Sequence, residues 1–423
     1  MKRVVLFSVF LCLLHMVHAQ DTLRMMQYNL MYYTNTSGVS DCNQTTNNLN
    51  TKDAALKDIF HYVLPDVFCV NEIGSNVSYA DRILNNDINV NGIDYYRHGP
   101  VTSYSGGYIA NAIFYDSRKL TLYKSEYVTT AYRDFNNYIM YYNSTDLAHG
   151  DTVFISFWVG HLKAGSYANN EEERYNQVQR LMNKISQSNP GNTIFSGDFN
   201  TYSSDDKAYQ HLINYNNSLF RFYDPIDQPG HWNNNASFAQ IHTQSTHSGQ
   251  DDCFSSGGLD DRFDHILVSP YIYYGTSGLQ VLPETYHALG QDGRHFNQSI
   301  NASANNTIPN YIAQALYNES DHLPIIVDFI VDATVGVQEY TADLFVNVVN
   351  PIRRDLEIKV QTEKDDKYLF EVFSIDGKRI IALPETLSQG VHQIHIPFDF
   401  AKGFYLLKIT DSKSQSVVKK IVK

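Results

Sequence analysis

The sequence predicts a layered α/β domain followed by a small β-sandwich, on three observations. Helix-period and strand-period runs alternate along residues 20–331, which is the pattern of helices packed outside sheets. Beyond a stretch rich in small residues, roughly 80 residues hold short apolar runs separated by turn signals. The formal charge changes at the same place. Residues 20–342 carry 17 Lys and Arg against 34 Asp and Glu, and residues 343–423 carry 13 against 11.

The elements follow in order. Lys2 and Arg3 precede an apolar run from Val4 to Leu14, and Val17-His18-Ala19 places small residues at −3 and −1. Residues 1–19 therefore read as a secretory signal. His15 and His18 interrupt the run short of the ~20 residues that a membrane span needs, and no other segment reaches that length. Leu56, Ile59, Phe60 and Val63 fit one face of a helix over Thr51–Val63, ended by Pro65. Val67–Val70 and Val153–Val159 read as strands, and Val178, Leu181, Met182 and Ile185 mark a helix from Glu171 to Gln187. Thr193–Ser196, Phe263–Val268 and Leu323–Ile330 read as further strands, and Tyr271–Tyr274 reads as one more. A linker is expected at 332–342. After it, strand-like runs lie at Asp343–Val349, Leu356–Val360, Tyr368–Phe373, Val391–Ile396 and Tyr405–Ile409.

Composition excludes several classes. Of the 423 residues, 43% are apolar and 18% charged, with only 23 Gly and 12 Pro, so the chain is neither collagen-like nor wholly disordered. A net charge of −13 argues against holding nucleic acid through a broad basic surface. It leaves room for an enzyme that grips one phosphate at a metal. Cys69 sits in an apolar run and reads as a buried small hydrophobe. Cys42 and Cys253 lie in polar stretches, and an oxidising compartment predicts a bridge between them.

Polar residues recur where apolar runs end. Five runs finish in Tyr28-Asn29, Asn71-Glu72, Gly160-His161, Gly197-Asp198-Phe199-Asn200 and Phe263-Asp264-His265, and Ser320-Asp321-His322 directly precedes a sixth. Strand ends converge on one rim of a sheet, so these groups are expected to share a cleft. Oxygen ligands such as Glu72, Asn29 and Asp321 suit Mg²⁺ or Mn²⁺, with Ca²⁺ a further option. A carboxylate-held histidine makes a positioned acid or base. No phosphate-cradling P-loop and no serine-esterase elbow is present. His265 should point away from Asp264 and serve the structure.

At these residues the chain resembles the endonuclease/exonuclease/phosphatase superfamily. The motifs, in the superfamily's order, are Tyr28-Asn29-Leu30, Asn71-Glu72-Ile73, His161-Leu162-Lys163, Gly197-Asp198-Phe199-Asn200, Arg262-Phe263-Asp264-His265-Ile266 and Ser320-Asp321-His322-Leu323-Pro324. The resemblance implies a DNase I-like, four-layer α/β/β/α sandwich over residues 20–331. It implies Glu72 as principal metal ligand with Asn29 beside it and Asp321 in support. It implies His322 as the catalytic histidine held by Asp264, and Asp198 and Asn200 as groups that orient the nucleophile and bind phosphate. His161 would supply a proton to the leaving oxygen. Lys163 is a candidate for a flanking phosphate, and His242, in the loop His242–Thr246, is either a substrate contact or plain loop.

The tail resembles the sorting domain of type IX (Por) secretion substrates. Its landmarks are Asn350-Pro351, Phe373–Arg379, Lys402–Tyr405 and Lys419–Lys423. The resemblance implies type IX secretion machinery as a partner and a destination outside the cell, reached through the periplasm. The alternative for the tail is a surface-binding β-sandwich. The expected function is a secreted Mg²⁺-dependent phosphodiesterase acting on DNA or RNA. The alternatives are a phosphatase or sphingomyelinase-type phospholipase C, and a binding protein on an inactive fold.

Overall fold

Met25 and Met26 face opposite ways, and the larger domain is built on that alternation. In the computed structural model, strand β1 (Asp21–Tyr33) turns Leu23 and Met25 into one core and Met26, Tyr28 and Leu30 into another, as a two-residue period requires. The structure describes residues 21–331 and 344–423, except 35–41, 44, 145–146, 148–151, 250–252, 349–351, 353, 363, 375–377 and 414–415. The expected signal at 1–19, the linker at 332–342, the Asn350-Pro351 landmark and residues 375–377 of the Phe373–Arg379 landmark lie outside the described residues.

After β1 come α1 (Leu49–Val63), β2 (Val67–Gly74), α2 (Val77–Ile83), a π-helical turn at Leu84–Ile88, β3 (Tyr96–His98) and β4 (Ile109–Asp116). Next are β5 (Leu120–Val128), β6 (Phe135–Tyr142), β7 (Phe154–His161), α3 (Ala168–Ile185), β8 (Thr193–Asp198) and α4 (Lys207–Ile213). A 3₁₀ turn at Ala236–Ile241 precedes β9 (Asp264–Val268), α5 (Pro270–Tyr273), β10 (Leu279–Ala288), α6 (Asn310–Glu319) and β11 (Ile325–Val331). One sheet has the order β10-β11-β1-β2-β4-β3, and the other β5-β6-β7-β8-β9.

Between the sheets lie Met25, Val67, Cys69, Ile113, Phe157, Ile194 and Ile266. The outer face of the first sheet packs on α1, α2 and α6 through Leu56, Phe60, Ile83 and Leu316. The outer face of the second packs on α3 and α4 through Val178, Leu181 and Leu212. These are the four layers of the DNase I-like sandwich.

Local chemistry explains the boundaries. Helix α1 begins two residues before the expected Thr51, because the Asn48 side chain accepts hydrogen bonds from the backbone of Asn50 and Thr51. It stops at Leu64, which takes a left-handed conformation (φ 49°) before Pro65. The expected strand at Tyr271–Tyr274 is instead α5. Pro270 stands at its first turn, and the N–H groups of Tyr273 and Tyr274 donate to Ser269 and Pro270. Proline preset for a helix start overrode the strand preference of the tyrosines.

Parallel pairing sets the rim. β1 runs parallel to β2, with Asn29 opposite Asn71, and β7 runs parallel to β8, with His161 opposite Asp198. β9 and β11 run antiparallel to their neighbours, so they begin where β8 and β1 end. All six polar strand ends thus come to one edge.

The described residues of the tail form seven strands: β12 (Leu344–Val348), β13 (Asp355–Thr362), β14 (Asp366–Ser374), β15 (Arg379–Leu387), β16 (Gly390–Pro397), β17 (Phe404–Thr410) and β18 (Ser416–Val422). They form sheets β12-β13-β16 and β15-β14-β17-β18 around Leu356, Ile358, Phe370, Val372, Leu407 and Ile409.

Candidate active site

The rim is supported from beneath by amides buried between the sheets. Gln27 donates to Asn71 Oδ1 (2.7 Å) and accepts from Ser196 (3.0 Å), and Asn71 donates to Asn111 Oδ1 (2.7 Å) and to the Gly160 carbonyl (2.9 Å). Asn111 continues the chain to Asn136 (3.1 Å), and the Asp198 N–H donates to Asn71 Oδ1 (3.0 Å). A buried polar network of this kind ties two sheets into one register. Its signal in the sequence is Gln27, Asn111 and Asn136, amides placed among the apolar residues of β1, β4 and β6.

Two backbone features aim the side chains. The pairing of β2 with β4 slips between Val70 and Ile73, and Glu72 inside that bulge has φ 60°. At Gly197 a Cβ would stand 1.7 Å from the Gly160 carbonyl oxygen, so only glycine lets β8 come this close to β7. That approach sets Asp198 beside His161.

Asp198 is the hub. Its Oδ2 accepts from Asn29 Nδ2 (2.9 Å) and lies 3.4 Å from His161 Nε2 and 3.7 Å from His322 Nε2, while Oδ1 accepts from the Asn200 N–H (3.0 Å). Asn29 also donates to Glu72 Oε1 (3.2 Å), and Glu72 Oε2 accepts from the Tyr32 N–H (3.0 Å). His322 Nδ1 donates to Asp264 Oδ2 at 2.7 Å. Burial opposes charge on His322, but Asp264 and Asp198 outweigh it and hold its pKa well above the ordinary value. Burial, then Arg133, His322 and Lys163, push His161 well below it, so that ring is neutral. Burial raises Asp198, with His322 opposing.

Glu72, His161 and Asp198 each offer an atom within 4.8 Å of the others, a spacing that fits a metal ion. The His161 Nδ1 is buried without a hydrogen-bond partner, as a nitrogen reserved for a ligand would be.

The structure departs from the expected role of His242 and details those of Asp321 and His161. Asp321 is not one of these three residues: its Oδ2 accepts from Gln244 Nε2 (3.2 Å) and the Ser255 N–H (3.0 Å). Its Oδ1 has no hydrogen-bond partner and stands 3.8 Å from His322 Nε2, so Asp321 also borders the cleft. His242 is fully buried, with Nε2 on the Trp232 carbonyl (2.8 Å) and Nδ1 on the Leu259 carbonyl (3.3 Å), so it anchors the loop and does not reach substrate. His161 turns Nε2 to Asp198 Oδ2 (3.4 Å) and Nδ1 to Glu72 Oε1 (3.7 Å).

Other residues are placed simply. Asn200 (φ 52°) donates to the Leu162 carbonyl (3.3 Å) beside the cleft. Lys163 is half-buried, its Nζ on the Ala164 carbonyl (2.9 Å). His265 stacks on Phe199, 4.9 Å between centroids, on the core side. Cys42 and Cys253 form a disulfide, and Cys69 is buried and free. The reading of residue types missed Gln244, whose Nε2 lies 2.7 Å from His322 Nε2. Only its place in the loop after Trp232 pointed to it.

Solved structures similar to this chain include an endonuclease/exonuclease/phosphatase from Beutenbergia cavernae (13% identity, 95% of this chain and 100% of that one, TM-score 0.42). The catalytic domain of human Nocturnin with bound sulfate is similar at 15% identity (74% and 97% covered, TM-score 0.44). A family protein from Bacteroides thetaiotaomicron is similar at 14% identity (74% and 96% covered, TM-score 0.46). No curated protein sequence matches. No described helix is long and apolar enough to cross a membrane. Residues 350–423 match the secretion system C-terminal sorting domain, so the chain is addressed through type IX secretion to the cell surface or the extracellular space. Residues 26–322 match the Endonuclease/Exonuclease/phosphatase family, and with six strand ends converging on Asp198 the chain belongs to that family.

Proposed function

We propose that this protein is an exported, Mg²⁺-dependent phosphodiesterase that hydrolyses nucleic acid outside the cell. The observation that carries the proposal is the His322–Asp264 pair (2.7 Å) facing Asp198, Asn29 and Glu72 across one cleft. Glu72 and Asn29, with Asp198 and the free nitrogen of His161 alongside, would hold the ion. Asp321 would act through Gln244 and the loop it anchors. When bound, a divalent cation neutralises phosphate oxygens and lowers the pKa of water.

The chain's own groups do the rest. Asp264 fixes the ring of His322 and keeps its Nδ1 protonated, so Nε2 is directed at the scissile phosphate. Raised in pKa, His322 presents an N–H to a phosphoryl oxygen. Asp198 and Asn200 orient the attacking water, and burial, which raises the pKa of Asp198, suits that carboxylate to accept a proton. His161 stays neutral and buried beside Glu72 (3.7 Å).

The test is hydrolysis of DNA, RNA, sphingomyelin and phosphomonoesters by the purified chain with Mg²⁺ or EDTA. Metal-dependent cleavage of DNA or RNA is expected. Activity confined to phosphomonoesters or sphingomyelin would replace this reading, and no hydrolysis at all would end it.

A further inference from the structure

Beside the cleft, on its His161 side, stands a group of tyrosines and cations that the chemistry above does not use. Tyr32 lies near the end of β1, three residues beyond Asn29, and its ring lies parallel to that of Tyr108, 6.0 Å between centroids and 11° between planes. Tyr108 is 40% and Tyr132 48% exposed. The two loops that carry them touch: a Cβ at Gly107 would lie 3.2 Å from the Tyr132 carbonyl. Asp134 clamps them together by accepting from the backbone of Tyr104 and from the N–H (3.0 Å) and hydroxyl of Ser105.

Two cations complete the group. Arg133 donates from Nη1 to the Leu162 carbonyl (3.1 Å), one residue from His161, and Lys163 Nζ lies 5.4 Å from the Tyr132 ring. Neither pairs with a carboxylate among the described residues. Both act electrostatically on His161, and Arg133 acts on Tyr32, which places their charge at the cleft and not on a remote surface. In a domain with 34 acidic against 17 basic residues, two unpaired cations at the catalytic mouth are a local exception.

Exposed aromatic faces joined to unpaired cations match a single nucleic-acid strand: bases stack on the rings, and the backbone lies against the charges. A phosphorylated sugar would need neither a second cation nor two parallel rings. We infer that Tyr32, Tyr108 and Tyr132, with Arg133 and Lys163, form a subsite for the nucleotide next to the scissile phosphate in a single strand. This rests on the phosphodiesterase reading and names its substrate as a strand of at least two nucleotides.

Equilibrium binding tests it without turnover. The full-length chain carrying His322→Ala, with Mg²⁺, is titrated against fluorescein-labelled hexathymidylate by anisotropy. Tyr108→Ala in that background should weaken binding about tenfold, Tyr108→Phe should restore it, and Tyr132→Ala should act like Tyr108→Ala. Removing Arg133 and Lys163 together should lower the slope of log K against log salt by about 1.4. Thermal unfolding checks that each variant is folded. Unchanged hexathymidylate affinity in Tyr108→Ala and in the double cation variant overturns the subsite, as does no binding by the parent. A loss confined to glucose 6-phosphate binding overturns it too. The two failures are separable: a chain that cleaves DNA with or without Tyr108 loses only the subsite. A chain that binds the strand through Tyr108 but hydrolyses no phosphodiester loses the catalytic reading.

Discussion

His322 Nδ1 lies 2.7 Å from Asp264 Oδ2, and this pair spans the two sheets, since Asp264 opens β9 and His322 precedes β11. The hydrogen bond therefore forms only when both sheets are docked. Asp264→Asn should leave the fold intact and lower kcat by roughly 10²–10⁴-fold, the range for a lost positioned acid or base. His322→Ala should remove turnover entirely. A kcat within threefold of the parent in either variant would refute the pair's role.

Glu72, pressed against His161 and bonded to Asn29, is the test of metal binding. Mg²⁺ at about 100 times its Kd should stabilise the parent by ~2.7 kcal/mol, seen as a rise in Tm. Glu72→Gln should abolish that rise without abolishing folding. An equal Tm rise in the variant would move the ion elsewhere.

The Cys42–Cys253 disulfide closes a separation of 211 residues and packs against Met31, two residues beyond Asn29. Replacing both cysteines by serine should cost about 2–5 kcal/mol of stability. Chemical denaturation reads this directly, and a loss under 0.5 kcal/mol would show the bridge to be dispensable.

Asp87 is fully buried with neither carboxylate oxygen hydrogen-bonded among the described residues, and burial, then Asp53 and Glu319, push its pKa up to about 9. The folded state holds this proton above the unfolded value of ~3.9. Its contribution is present below that value and is lost as pH rises toward about 9. Asp87→Asn should therefore raise Tm at pH 8 and change it little at pH 4. A uniform shift across that window would contradict the assignment.

The C-terminal sandwich packs around its own core, Leu356 to Ile421. Deleting residues 343–423 should trap an active enzyme in the periplasm of its host. Normal export with lost surface attachment would make the tail an adhesive module instead.

Much of this protein is local information, and the sequence by itself determined it. Apolar spacing marked α1 and α3, because a helix face repeats every three to four residues whatever packs on it. The polar ends at Asn29, Glu72, His161, Asp198, Asp264 and His322 were visible because each interrupts an apolar run. Tertiary structure decided which of them meet. Asp198, not Asp321, lies with Glu72 and His161, and that depends on the β7–β8 register and on the close approach at Gly197. His242 went inward and Gln244 went to His322 because the loop between them folds against Trp232 and Asp321. The amides from Gln27 to Asn136 acquired partners only when two sheets stacked. A strand's alternation says that a side chain faces one way or the other, and only pairing across the sheets says what it finds there.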